Sequence, residues 1–225
     1  MKLQLFFSNN RVKYCLAMFC SFLFLNNSFT QSQDLGWGMK IGANYSTVKN
    51  TRYVSGIEPI FKALGGFYYK QKIGAKGDSS KFLIGFDAMI IRKGYQREIK
   101  NSLETVTYKQ YFNYSTLPIY LGYQPSNFIQ VIGGIELGWL WSSKLHGHPT
   151  TAKGYGNFSP LDVGLLAGVV ISPTKTFSLD IRAIRGLTNM TRFEYFDAYG
   201  NSKGKISAFQ NFCLQVSFNF NLENL

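Results

Sequence analysis

The end of the chain carries the plainest pattern. Phe212, Leu214, Val216, Phe218 and Phe220 alternate with Asn211, Cys213, Gln215, Ser217 and Asn219. A strand here has one apolar face and one polar or small face, because successive side chains leave a strand on opposite sides. The same period of two recurs upstream, over Trp37 to Tyr45, Phe82 to Ile90, Ile129 to Trp141, Leu161 to Ile171 and Phe177 to Ala183. Two weaker runs, Phe61 to Lys70 and Tyr108 to Tyr123, bring the predicted strands to eight. Most are about 9–13 residues long, the length a tilted strand needs to cross a bilayer.

The connections alternate in length. Short ones lie at 74–79, 125–127 and 172–175, and long ones at 46–60, 93–107, 142–158 and 188–206. An even number of antiparallel strands closes without an edge, and membrane barrels pair short periplasmic turns with longer outer loops. A soluble barrel would also close, but with a polar outside and an apolar inside. Here Trp, Phe and Tyr gather on the apolar face, while Lys40, Asp87, Glu136, Asp162, Asp180 and Arg182 share the other. This polarity predicts an all-β fold: an eight-stranded antiparallel up-and-down transmembrane β-barrel with four long outer loops and short periplasmic turns.

Composition adds a second line to this reading. Charged residues make up only 16% of the 225, and hydrophobic ones 45%, which excludes a disordered chain. The mean hydropathy of −0.07 is far from that of a bundle of membrane helices. Residues 1–30 read as a separate leader: Lys2, Arg11 and Lys13 precede the uncharged apolar run Tyr14 to Leu25, followed by Asn26-Asn27-Ser28-Phe29-Thr30. That run is too short to span as a helix and has the layout of a secretory signal peptide, leaving 31–225 as the barrel domain. Cys15 and Cys20 leave with the leader, and Cys213 alone cannot form an internal disulfide. The formal charge falls from +12 to about +9 as Lys2, Arg11 and Lys13 are lost. For an exported basic protein, phosphate-rich lipopolysaccharide or an acidic partner is the nearer polyanion, and nucleic acid is not expected.

Several stretches resemble a known group. "GWGMKIGANYST" (36–47), "FLIGFDAMIIRKGYQ" (82–96), "YSTLPIYLGY" (114–123) and "LDVGLLAGVVIS" (161–172) stand in this order before the closing aromatic strand. Together they resemble the PorT-like, porin-family outer-membrane β-barrel proteins of the Bacteroidota. The resemblance implies an eight-stranded barrel in the outer membrane of a Gram-negative bacterium, inserted by the barrel-assembly machinery and without enzymatic activity.

The remaining candidates divide by place. His146 and His148 are the only histidines, two apart in a long connection with no cysteine or carboxylate beside them, so neither a metal site nor a nucleophile–base pair is expected. No cofactor is expected either. Lys40, Asp87, Glu136, Asp162, Asp180 and Arg182 are expected to form a polar network in the lumen, because eight strands leave an interior that side chains fill. Trp37, Tyr45, Tyr123, Trp139 and Trp141 lie towards strand ends, as interfacial girdle residues do. Arg92, Lys93, Arg97 and Lys100 read as a basic start to the second long loop. The function expected is non-enzymatic: a structural or interaction role at the cell surface, with lipopolysaccharide or a partner protein meeting the basic outer loops. The alternative is a narrow pore, or an accessory of a type IX-like secretion system with an envelope or secretion partner.

Overall fold

Period-two segments that bury only one face must pair edge to edge, and pairing stops only when no edge is left. The computed structural model describes residues 35–49, 56–73, 80–100, 105–147, 151–153, 158–196 and 202–223. The leader read over 1–30 and His148 lie outside the described residues. The strands are β1 (Leu35–Lys49), β2 (Ile57–Ile73), β3 (Phe82–Lys100), β4 (Thr105–Ser126), β5 (Ile129–His146), β6 (Thr151–Lys153), β7 (Leu161–Ile171), β8 (Phe177–Gly186), β9 (Thr191–Phe196), β10 (Ser202–Ala208) and β11 (Gln210–Asn221). Eight of them, β1, β2, β3, β4, β5, β7, β8 and β11, follow one another around a ring, and β11 pairs with β1 to close it. Every pairing is antiparallel. All eight expected strands are present, in the expected order.

The apolar side faces out. Along β11, Val216 is 44% exposed and its neighbour Ser217 only 3%, so one register residue separates the two environments. The same outward series reads Phe82, Ile84 and Ile90 on β3 and Ile129, Val131, Ile135 and Trp139 on β5. The lumen is packed rather than open. Tyr120 crosses it above Gly85, where an added Cβ would sit 2.6 Å from the ring. Leu83, Ile132, Leu166, Val170, Ile184 and Cys213 join Tyr120 in one buried apolar cluster. A second one contains Val48, Leu64, Met89, Ile91, Phe112 and Tyr114, with Met190 and Phe209 from the outer connections closing over it. Phe209 takes a left-handed φ of 63°, a strained conformation for a bulky residue. In exchange its ring is buried 5.9 Å from that of Tyr95.

The outer connections differ from the sequence reading. Much of 93–107 and 142–158 is ladder: β3 and β4 stay paired out to Lys100 and Thr105, and β5 runs to His146. Within 188–206, β9 and β10 form their own hairpin. Beyond the apolar band nothing requires an apolar outer face, so the alternation fades while backbone pairing continues. β3, β4 and β5 have 19, 22 and 18 residues against 11, 10 and 12 in β7, β8 and β11. The wall is therefore tall on one side.

Candidate functional site

Inward-facing charges must be paired or they would not fold into a dry interior. The structure brings the six lumen candidates into two groups. In the first, nearer the short turns, Lys40 Nζ donates to Asp87 Oδ2 at 2.6 Å and to Asp180 Oδ2 at 2.9 Å. Arg182 donates through Nη1 to Asp87 Oδ2 at 2.6 Å, and through Nε and Nη2 to Asp180 Oδ1 and Oδ2 at 2.8 and 2.6 Å. This two-pronged bond to Asp180 is the fork geometry a guanidinium favours. The Tyr120 hydroxyl donates to Asp87 Oδ1 at 3.0 Å, and its ring lies 4.7 Å from the guanidinium carbon. Two cations meet two carboxylates, all buried, and the group ties β1, β3, β4 and β8 together.

The second group sits nearer the outer mouth. Lys93 Nζ donates to Glu136 Oε1 at 2.7 Å and Asp162 Oδ2 at 3.0 Å. Asn211 Nδ2 donates to Asp162 Oδ2 at 2.7 Å, and the Thr188 hydroxyl to Asp162 Oδ1 at 3.2 Å. The Lys93 ammonium also stands 5.0 Å from the Tyr114 ring centre. This group joins β3, β5, β7 and β11 across the lumen.

Lys93 is the main correction to the sequence reading. Expected in a basic loop with Arg92, Arg97 and Lys100, it is a buried lumen residue, 1% exposed. All four lie on β3, because the β3–β4 ladder continues past the apolar band. Lys93 is six residues from Asp87, an even spacing that returns it to the same face. Arg92 is exposed on the outer wall, Arg97 is half-buried opposite Ile57, and Lys100 ends the strand opposite Thr105. Tyr114, Tyr120, Thr188 and Asn211 also escaped the sequence reading, although Asn211 shares the inward parity of Ser217.

The five girdle candidates fall at two levels of the outer surface. Trp37 lies near the short-turn end with its ring 4.6 Å from Tyr69, and Tyr123 is at that end 5.3 Å from Phe82. Tyr45 lies towards the outer end, 4.6 Å from Phe61, and Trp139 and Trp141 are exposed on β5. His146 is not in a loop as expected: it ends β5, its ring 5.2 Å from Tyr111. Among the described residues no cluster of His, Cys, Asp and Glu has the makings of a metal site.

Comparison with known proteins gives one family match and several remote structural ones. Residues 29–192 match the family model described as outer membrane protein beta-barrel domain. A search of curated proteins finds no match. Among solved structures, Ail, the attachment invasion locus protein of Yersinia pestis, is 12% identical over 84% of this chain and 100% of its own, with a TM-score of 0.44. Neisserial surface protein A (NspA) is 10% identical over 83% of this chain and 97% of its own, at 0.49. OprG of Pseudomonas aeruginosa is 13% identical over 83% and 96%, at 0.41. With most of its length matched by that family model, and with strands that close into a ring with an apolar outside, this chain belongs to the outer membrane protein β-barrel domain family.

Proposed function

We propose that this protein is a non-enzymatic, non-conducting scaffold that holds a basic surface above the outer leaflet, where it meets lipopolysaccharide or a partner protein. One observation carries this reading: two ion groups bridge the lumen from wall to wall, with apolar side chains packed around both. A hydrated ion entering from either mouth would have to break buried pairs that cost several kcal/mol each to separate. Within the family we place the chain in the PorT-like group of Bacteroidota, on the order of its four motifs. Residues 1–30 act as the export signal in this reading. Among the described residues no observation favours the pore alternative, and the secretion-accessory alternative rests on the PorT-like motifs alone.

Conductance tests the plug. The refolded protein in a planar bilayer is expected to show no discrete current steps, and steady ohmic openings would overturn the reading. Chemical labelling tests the orientation. Cys213 is buried and free, so it is a silent background. Thr105→Cys, exposed at the top of the tall side of the wall, is expected to react with a membrane-impermeant maleimide on intact cells. Ser126→Cys and Thr174→Cys, at the short-turn end, are expected to react only after lysis. Labelling of the last two on intact cells would invert the barrel.

A further inference from the structure

The outward faces of β3, β4 and β5 change character at one level. On β3 the series Phe82, Ile84, Phe86, Ala88, Ile90 is followed by Arg92, and on β5 Trp139 and Trp141 are followed by Lys144 and His146. On β4 the corresponding residues are Tyr111, which pairs with Lys144, and Lys109, which pairs with His146. Paired strands lie about 5 Å apart and residues two apart on one strand about 7 Å, so these side chains form one patch. Tyr111 is its centre: the Lys62 ammonium stands 4.9 Å and the Arg92 guanidinium carbon 5.9 Å from its ring centre.

Four cations are gathered there, and the acids that stand nearest on the same strands are Glu58 on β2 and Glu98 on β3. Among the described residues no carboxylate forms an ion pair with Lys62, Arg92, Lys109 or Lys144. Glu58, the acid on the adjoining strand, instead accepts a hydrogen bond from Gln96 Nε2 at 2.7 Å. Arg92 is also held in place: its Nε donates to Asn113 Oδ1 at 2.7 Å, and Asn113 Nδ2 donates to the Ser142 hydroxyl at 3.3 Å. Asn113 is itself 5% exposed. That rung leaves both Nη groups of Arg92 without a protein partner among the described residues, directed by a fixed Nε. A positioned guanidinium with free Nη groups suits the two-oxygen recognition of a phosphate.

Height decides the source of the phosphate. Exposed Trp marks the boundary between hydrocarbon and headgroups, and Lys144 lies three residues past Trp141, about 10 Å along the strand. The patch looks sideways from the wall at headgroup level, where a soluble anion has poor access and a lipid headgroup is already present. We propose that Lys62, Arg92, Lys109 and Lys144, arranged around Tyr111, bind the phosphorylated sugar headgroup of an outer-leaflet glycolipid of the lipid A type. The site rests on the orientation proposed above, with the tall wall outside.

The test is retention of lipid A by the full chain refolded in detergent micelles, read by native mass spectrometry. The parent is expected to bind bisphosphorylated lipid A at least about tenfold more tightly than the dephosphorylated lipid. Arg92→Gln/Lys144→Gln should lose at least about tenfold, the factor that follows from losing one charge-assisted hydrogen bond. Lys144→Gln alone, at an exposed position, should lose part of it, which covers a double variant that does not fold. Lys81→Gln, at the opposite end, should bind like the parent, and equal losses there would reduce the effect to overall charge and overturn the site. Unchanged binding in the double variant would overturn it too. Displacement by glucosamine phosphate as effective as that by lipid A would assign the patch to a soluble ligand and overturn the lipid assignment. Binding in micelles does not depend on orientation. Failure of the parent to retain lipid A alongside the expected maleimide labelling overturns the site alone, while inverted labelling overturns the outer-leaflet assignment whatever the micelles show.

Discussion

Arg182→Met is expected to destabilise the folded barrel by about 3–5 kcal/mol, the range for stripping one partner from a buried ion pair. Arg182 makes three of the hydrogen bonds that satisfy Asp87 and Asp180, at 2.6 to 2.8 Å. Without it, two buried carboxylates share the single ammonium of Lys40. The loss should appear as a lower urea midpoint, followed by heat-modifiable mobility on gels. Arg182→Met/Asp180→Leu leaves Lys40 facing Asp87 alone, one charge against one, and should recover most of the loss. Arg182→Lys should fall between, because an ammonium cannot make the fork to Asp180. Parent-like urea midpoints for Arg182→Met would mean that this group does not sit in a dry, packed interior.

Val216→Arg should cost about 2–4 kcal/mol, the penalty for a cation on the lipid face at the bilayer midplane. Val216 lies between Leu214 and Phe218 on the outer face, and its cross-strand partners are Ala43 and Ile181. No aqueous level is within easy reach of the new side chain. Phe220→Arg lies next to Phe177 at the short-turn end, and should cost only about 0–1 kcal/mol because it reaches the interface. Ser217→Ala is the matched control. Ser217 faces inward against Gly42 and loses only a hydroxyl. The readout is the amount of folded protein in the outer-membrane fraction. A barrel standing in water would tolerate Val216→Arg as well as Ser217→Ala, so equal yields would sink the lipid-facing assignment of this strand.

The parity of the strands was legible in the chain because two solvents impose it. Where lipid meets one face and a packed polar lumen the other, every second residue must be apolar, and Leu214 or Val216 cannot be exchanged in place with Gln215 or Ser217. Strand number, order and the inward charges of Lys40, Asp87, Asp180 and Arg182 all follow from that rule. The same rule failed where one of the solvents ends. Past Ile90 the outer face is no longer in hydrocarbon, the alternation stops, and β3 reads as a loop although its backbone pairs on to Lys100. Lys93 was misplaced for this reason. Continuing the count from Asp87 would have returned it to the lumen.

Which charges meet is a different matter, since it depends on register and on the closure of the ring. Lys40 and Asp180 are 140 residues apart in the chain, and nothing in either strand's own pattern selects one lumen carboxylate over another. The pairing of β11 with β1 sets their heights, and the short reach of a hydrogen bond then divides six expected residues into two groups. The basic patch is of the same kind. Lys62, Arg92, Tyr111 and Lys144 come from four strands, and each alone is an ordinary polar residue near a strand end. A slip of one residue between β4 and β5 would turn Lys144 away from Tyr111. The local sequence determined which side of the wall each residue takes, because solvent acts on one side chain at a time. Only the tertiary structure decided which residues become neighbours, because that requires strands distant in sequence to share one register.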